Sequence, residues 1–165
     1  ASAELTRLRM EMPDVARSKV GVFGGSQGGG LSLACASLVP EISRCAVYYP
    51  FLSDYKRVWE LDLTDLAYSE LRRYFRFFDP LHERETEIYQ KLGYVDVQNL
   101  VKWIRGRVLM TTGLMDTACP PSTQFAAYNK IAAEKKMVVY PDYGHEVLHG
   151  NQDRIYRFLL EMAEN

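Results

Sequence analysis

The sequence predicts an α/β fold: a parallel sheet of about four strands that begins at the strand before Ser26, flanked by helices and carrying a helical insert. Three observations predict it. Short apolar runs end in turn-forming residues four times along the chain. Helical periodicity separates those runs, the alternation expected of a parallel sheet. A serine, an aspartate and a histidine follow three of the runs, on the edge where open α/β sheets gather their reacting groups.

The elements follow in order. A leading helix is expected at about Glu4 to Met12, then the strand that runs into Gly24-Gly25-Ser26-Gln27-Gly28. Small residues (Gly28, Gly29, Gly30, Ser32 and Ala34) open a helix from about Gln27 to Leu38, and Cys45 to Tyr49 reads as the next strand. An aromatic, charged and helical insert spans about Ser53 to Ile104, dividing the chain into 1–52, 53–104 and 105–165 within one domain. Its apolar faces are Leu71, Tyr74, Phe75 and Phe78, then Ile88 and Leu92, then Val97, Leu100, Val101 and Ile104. Arg107 to Thr112 is a strand, Pro120-Pro121-Ser122 starts a helix, and Lys136 to Tyr140 is the last strand. Ile155, Phe158, Leu159 and Met162 lie on one face of the closing helix.

Gly24-Gly25-Ser26-Gln27-Gly28 has the G-x-S-x-G pattern of a nucleophile elbow, between the strand and helix that the motif needs. A serine on so tight a turn needs small neighbours, because side chains two positions away would meet the adjoining strand or helix. The helix N-terminus then offers partial positive charge, and the Gln27 amide, to a developing oxyanion. Asp116, in Gly113-Leu-Met-Asp116, and His145, in Pro141-Asp-Tyr-Gly-His145, supply an acid and a base in the chain order this motif uses. Asp116 has an alternative role as a cap for the helix near Pro121, with Asp142 as the second candidate acid. His82 lies in the charged helical region and reads as a surface residue.

His145-Glu146-Val147-Leu148-His149 also spells H-E-x-x-H, a zinc-protease signature. That chemistry needs a helix to turn both imidazoles to one ion. A strand and Asp-Tyr-Gly precede this motif, Gly150 follows it, and Glu161 and Glu164, the conceivable third ligands, have no separate supporting helix. The expectation is therefore no metal and no organic cofactor.

There are 20 basic and 21 acidic residues and no basic run interleaved with aromatics, which excludes a nucleic-acid track. No P-loop pattern and no C-x-x-C occur, and no apolar run reaches the ~20 residues of a membrane span. Cys35, Cys45 and Cys119 read as free thiols, consistent with a cytoplasmic setting, although one pair would also fit. Cys119 stands near Asp116 but has no elbow of its own.

An elbow strand normally lies inside its sheet, whereas here it is the first strand. The expectation is an apolar open edge that another segment or a second copy must cover, in the C-terminal part of a longer enzyme.

Gly24-Gly-Ser26-Gln-Gly-Gly-Gly30, Tyr49-Pro-Phe-Leu-Ser-Asp-Tyr55, Gly113 to Asn129 and Tyr140-Pro-Asp-Tyr-Gly-His-Glu146 resemble the acetyl xylan esterase / cephalosporin-C deacetylase family of serine esterases. The resemblance runs from about Lys19 to Glu146. It implies an α/β-hydrolase that deacetylates xylo-oligosaccharides and other small acetyl esters. Ser26 would be the nucleophile, Asp116 and His145 its partners, and the Gln27 N–H an oxyanion donor. It also implies an intracellular homo-oligomer, a hexamer built from trimers. The family's Arg-Gly-Gln segment before the elbow does not occur here. A rival reading is a non-catalytic assembly module that keeps half of the hydrolase fold and uses its open edge and aromatic insert as contact surfaces.

Overall fold

The computed structural model describes residues 20–63 and 67–162. The leading helix expected at Glu4 to Met12 lies outside the described residues. Val20–Gly25 forms β1 and Gln27–Leu38 forms α1, the helix boundaries expected from the sequence. β2 is Ile42–Tyr48, so it starts before the expected Cys45 and ends one residue short of Tyr49. Tyr49 leaves the strand with φ 33°, a left-handed conformation that a continuing strand does not allow.

The described residues of the insert form four helices: α2 (Tyr55–Glu60), α3 (Ser69–Phe78), α4 (Glu85–Leu92) and the single turn α5 (Val97–Leu100), which runs into a 3-10 turn at Val101–Trp103. Helix α2, with one fully buried residue in Val58, has too short an apolar stripe to show in the periodicity. On α3 the expected face is narrower than four residues. Leu71 and Phe75 are buried, whereas Tyr74 and Phe78 are exposed and rest on one another with ring centroids 5.1 Å apart. Spacing alone could not divide the two adjacent stripes, both apolar at i and i+4.

β3 is Arg107–Gly113, α6 is Pro121–Lys130, β4 is Lys135–Tyr140 and α7 is Asn151–Leu160. Pro121 occupies the first turn of α6, where its missing N–H breaks no helical bond. The sheet order is β1-β2-β3-β4, with every neighbouring pair parallel. The inner strands read as continuous apolar runs because both their faces are covered. Cys45 and Val47 of β2 and Val108 and Met110 of β3 point into one core with Leu33 and Ala36 of α1 and Ala127 of α6. The intervening Ala46 and Leu109 point the other way, onto Ile155, Phe158 and Leu159. That strict alternation is the two-residue period of a strand. β1 and β4 are only partly buried, as outer strands should be.

Register brings the ends of the strands level. Gly25 pairs with Tyr48, Tyr48 with Thr111, and Gly113 with Tyr140. The loops after β1, β3 and β4 therefore leave from one edge, the ones that carry Ser26, Asp116 and His145.

Candidate active site

Ser26 has φ 53° and ψ −122°, outside the regions open to an unstrained side chain. Such a conformation costs of order 1–3 kcal/mol and persists only where its surroundings fix it. The Ser26 N–H donates to the Tyr48 carbonyl at 3.1 Å, and its own carbonyl accepts from Phe51 at 2.9 Å and Gly30 at 3.1 Å. Space for the turn comes from glycines. A Cβ on Gly24 would lie 2.5 Å from the Gly28 backbone, one on Gly25 would come within 2.1 Å of the Tyr48 ring, and one on Gly30 would strike the Phe51 carbonyl. Gly28 corrects the expectation that both outer glycines of the motif are needed for space: a Cβ there meets nothing within 4 Å. The clash is one-sided because the strand residue Gly24 faces the helix backbone at Gly28, while the direction a Gly28 Cβ would take is open.

Ser26 is the N-cap of α1, yet its side chain makes no capping bond. Its Oγ lies 3.0 Å from His145 Nε2 instead. On the other side of the ring, His145 Nδ1 is 2.9 Å from Asp116 Oδ2. Since a carboxylate only accepts, Nδ1 carries a proton and donates to Asp116, and the Nε2 lone pair is left for the Ser26 hydroxyl. Asp116 is held in turn: Oδ1 accepts the N–H groups of Ala118 at 2.9 Å and Cys119 at 2.8 Å. These bonds make an Asx-type turn within the loop rather than a cap on α6. Asp116 is only 2% exposed, so its attraction for imidazolium is little screened by water.

The other candidates fall elsewhere. Asp142 is exposed. His82 lies between α3 and α4, exposed as expected, and stacks on Phe75 with ring centroids 4.7 Å apart. Residues 141–150 form no helix, and α7 begins only at Asn151, so His145 and His149 are not presented to one ion as H-E-x-x-H requires. Glu161 pairs with Arg107 at 3.0 Å, and Glu164 lies outside the described residues. Donor atoms of Asp116, Cys119 and His145 lie within 4.8 Å of one another. Two of the three are already joined by a hydrogen bond, and the Cys119 thiol is pushed up to about 12, chiefly by burial and then by Asp116. That thiol is neither a ready metal ligand nor a nucleophile. Cys35, Cys45 and Cys119 are all free.

Gln27 is the first residue of α1, so its N–H has no acceptor within the helix and points where the helix dipole is positive. Tyr49, to which the sequence assigns a strand end and the start of a family-like stretch but no role, has its ring against His145 with centroids 4.3 Å apart. The signal that could have found it is its place directly after a strand on the same edge as Ser26.

A parallel sheet with an elbow serine after one strand, and an acid and a histidine after two later ones, defines the α/β-hydrolase fold. The chain belongs to the acetyl xylan esterase (AXE1) family, whose model matches residues 2–162. It is 35% identical over 134 residues to the acetyl esterase Axe7A of Xylanibacter ruminicola, covering 81% of this chain and 29% of that protein. The crystal structure of acetyl xylan esterase 1 from Thermoanaerobacterium sp. JW/SL YS485 superposes with a TM-score of 0.93 at 59% identity, over 97% of this chain and 50% of that one. The acetyl xylan esterase from Paenibacillus sp. R4 gives 0.89 at 38% identity, over 96% and 50%. A puromycin hydrolase, at 18% identity over 97% of this chain and 24% of its own, shares the fold with a TM-score of 0.73. The chain thus spans about half the length of the two solved esterases.

Proposed function

We propose that this chain carries the catalytic residues of a serine esterase that removes acetyl groups from acetylated xylo-oligosaccharides and other small acetyl esters. The observation that carries the reading is the unbroken line from Asp116 through His145 to Ser26, at 2.9 Å and 3.0 Å. His145 takes the Ser26 proton as Oγ attacks the acetyl carbonyl, and Asp116 stabilises the imidazolium that forms. The Gln27 N–H donates to the oxyanion. His145 then protonates the departing sugar oxygen, and water releases acetate from the acetyl-enzyme by the same steps in reverse. Every proton and charge in this sequence is handled by side chains and amides of the chain, so the mechanism calls for no metal or organic cofactor.

The same proposal makes the chain the C-terminal part of a longer protein, with a second oxyanion donor outside these residues. Its length relative to the solved esterases and the outer position of β1 support this. Cytoplasmic location and homo-oligomeric assembly complete it, the former supported by the three free thiols. Among the described residues no helix is long and apolar enough to cross a membrane. A purely structural module would have no use for the strain at Ser26 or for a buried carboxylate aimed at a histidine.

The test is p-nitrophenyl acetate hydrolysis and fluorophosphonate labelling, in EDTA, beside the Ser26→Ala and Asp116→Asn variants. Ser26→Ala should lose labelling and hydrolysis entirely, and Asp116→Asn should fall about 10⁴-fold in kcat by leaving the wrong tautomer. Labelling that survives Ser26→Ala would overturn the assignment.

A further inference from the structure

Tyr49 is a bulky aromatic residue at φ 33°, a backbone conformation such side chains rarely adopt. Strain of this kind marks places where the surroundings demand a particular side-chain direction. Along an extended strand, consecutive side chains point to opposite faces. Tyr48 and Tyr49 do not: their rings meet edge to face, 4.8 Å between centroids and 83° between planes. The turn at Tyr49 therefore carries its ring round to the side of Tyr48. The Tyr48 ring lies over Gly25, in the volume a Cβ would occupy, which ties this pair of rings to the elbow itself. From the other side, the Tyr49 N–H donates to the Thr111 carbonyl of β3 at 2.8 Å. Its ring is buried with Cys119 and Leu148 and lies against the His145 ring, with centroids 4.3 Å apart and planes tilted by 48°.

We propose that Tyr49 is the positioning residue for His145: its ring is the wall that keeps the imidazole in line between Asp116 and Ser26, and its π face favours imidazolium. An aromatic face within about 6 Å of a cation attracts it through the ring quadrupole. The attraction appears only when His145 becomes charged, so it acts on the reaction step rather than on substrate binding. No hydroxyl contact is part of the argument, and the ring alone should suffice. The kinetic part of this inference rests on the esterase reading; the spectroscopic part rests on the geometry of the two rings.

The experiment compares Tyr49→Phe, Tyr49→Leu and Tyr49→Gly with the unaltered chain. Tyr49→Phe should keep the rate of fluorophosphonate labelling within about twofold, since it keeps the ring. Tyr49→Leu and Tyr49→Gly should lower that rate, and kcat for p-nitrophenyl acetate, by roughly 3–30-fold with KM little changed. Gly relieves the positive φ but leaves a larger cavity than Leu, so Tyr49→Gly should melt lower than Tyr49→Leu while reacting at a similar rate. By proton NMR, the His145 Nδ1–H should exchange with water about tenfold faster in the Leu and Gly variants, and not in Phe. Rates that follow melting temperature instead of the presence of a ring would overturn the inference. If Ser26 of the unaltered chain is not labelled, the esterase reading fails. The Nδ1–H exchange then decides alone, and an unchanged rate in Tyr49→Leu would overturn the role of Tyr49.

Discussion

Ser26 holds an unfavourable backbone conformation because three hydrogen bonds and the absence of three Cβ atoms leave it no better alternative. The glycines of this turn are therefore not equivalent. Gly24→Ala would force its new methyl to 2.5 Å from the Gly28 backbone, a contact no side-chain rotation relieves. We expect it to lower stability by about 1–3 kcal/mol or more, as overpacking does. Gly28→Ala adds a methyl in open space within α1, so stability should rise by about 0.5–1 kcal/mol through helix propensity. Urea titration of the two variants tests the difference, and equal losses would contradict this account of the elbow. In the sequence both residues look alike, as the outer glycines of one motif. Ser26, Asp116 and His145 were legible there because chain order and the strand before each residue fix their place on one edge. Tyr49 was not, because its contact with His145 depends on a φ value that residue type does not announce.

One buried carboxylate ties the two ends of the insert together. Asp96, only 5% exposed, accepts the N–H of Asp54 at 3.0 Å, of Tyr55 at 3.4 Å and of Gln98 at 3.1 Å, and the Gln98 side-chain amide at 3.0 Å. It thereby caps α5 and ties the start of α2 to it. Beside it the Val97 N–H donates to the Leu52 carbonyl at 3.0 Å, one residue after Phe51, whose N–H holds the Ser26 carbonyl. Burial pushes the Asp96 carboxyl above its ordinary 3.8 despite donors that pull it down. The sign for stability follows by linkage. A raised carboxyl contributes fully below 3.8, and the contribution is lost as pH climbs through the folded value. Relative to Asp96→Asn, the unaltered chain should thus lose melting temperature as pH rises from about 3 and level off above the raised value. A relative gain over that range would show that the hydrogen bonds outweigh burial. Helical spacing placed α4 through Ile88, and its reading of one helical face from Val97 to Ile104 resolves into the single turn α5 and the 3-10 turn that follows. It carried no sign of this clip, which depends on loops brought together from either end of the insert.

Across the molecule, the elbow serine and the boundary of the described sheet meet at β1. Ser26 leaves the end of β1, and β1 is an outer strand of the described sheet, with Phe23 48% exposed beside Tyr156 at a centroid distance of 6.3 Å. On the reading proposed above, residues beyond this chain continue the sheet past β1 and bring a second N–H to the oxyanion that Gln27 already serves. Two effects should then move together. Loss of one oxyanion donor lowers kcat by about 10²–10³ while leaving nucleophile, base and acid in place. An outer strand also leaves one row of amides without a sheet partner, so those of β1 should exchange with solvent faster than the amides of β2 and β3. We therefore expect this chain alone to hydrolyse p-nitrophenyl acetate about 10²–10³-fold more slowly than a protein extended to the length of the solved esterases. Extension should slow β1 amide exchange in step with the gain in kcat. A gain in kcat without β1 protection would place the second donor away from this edge. Equal kcat in both proteins would mean that the Gln27 N–H and its helix terminus suffice.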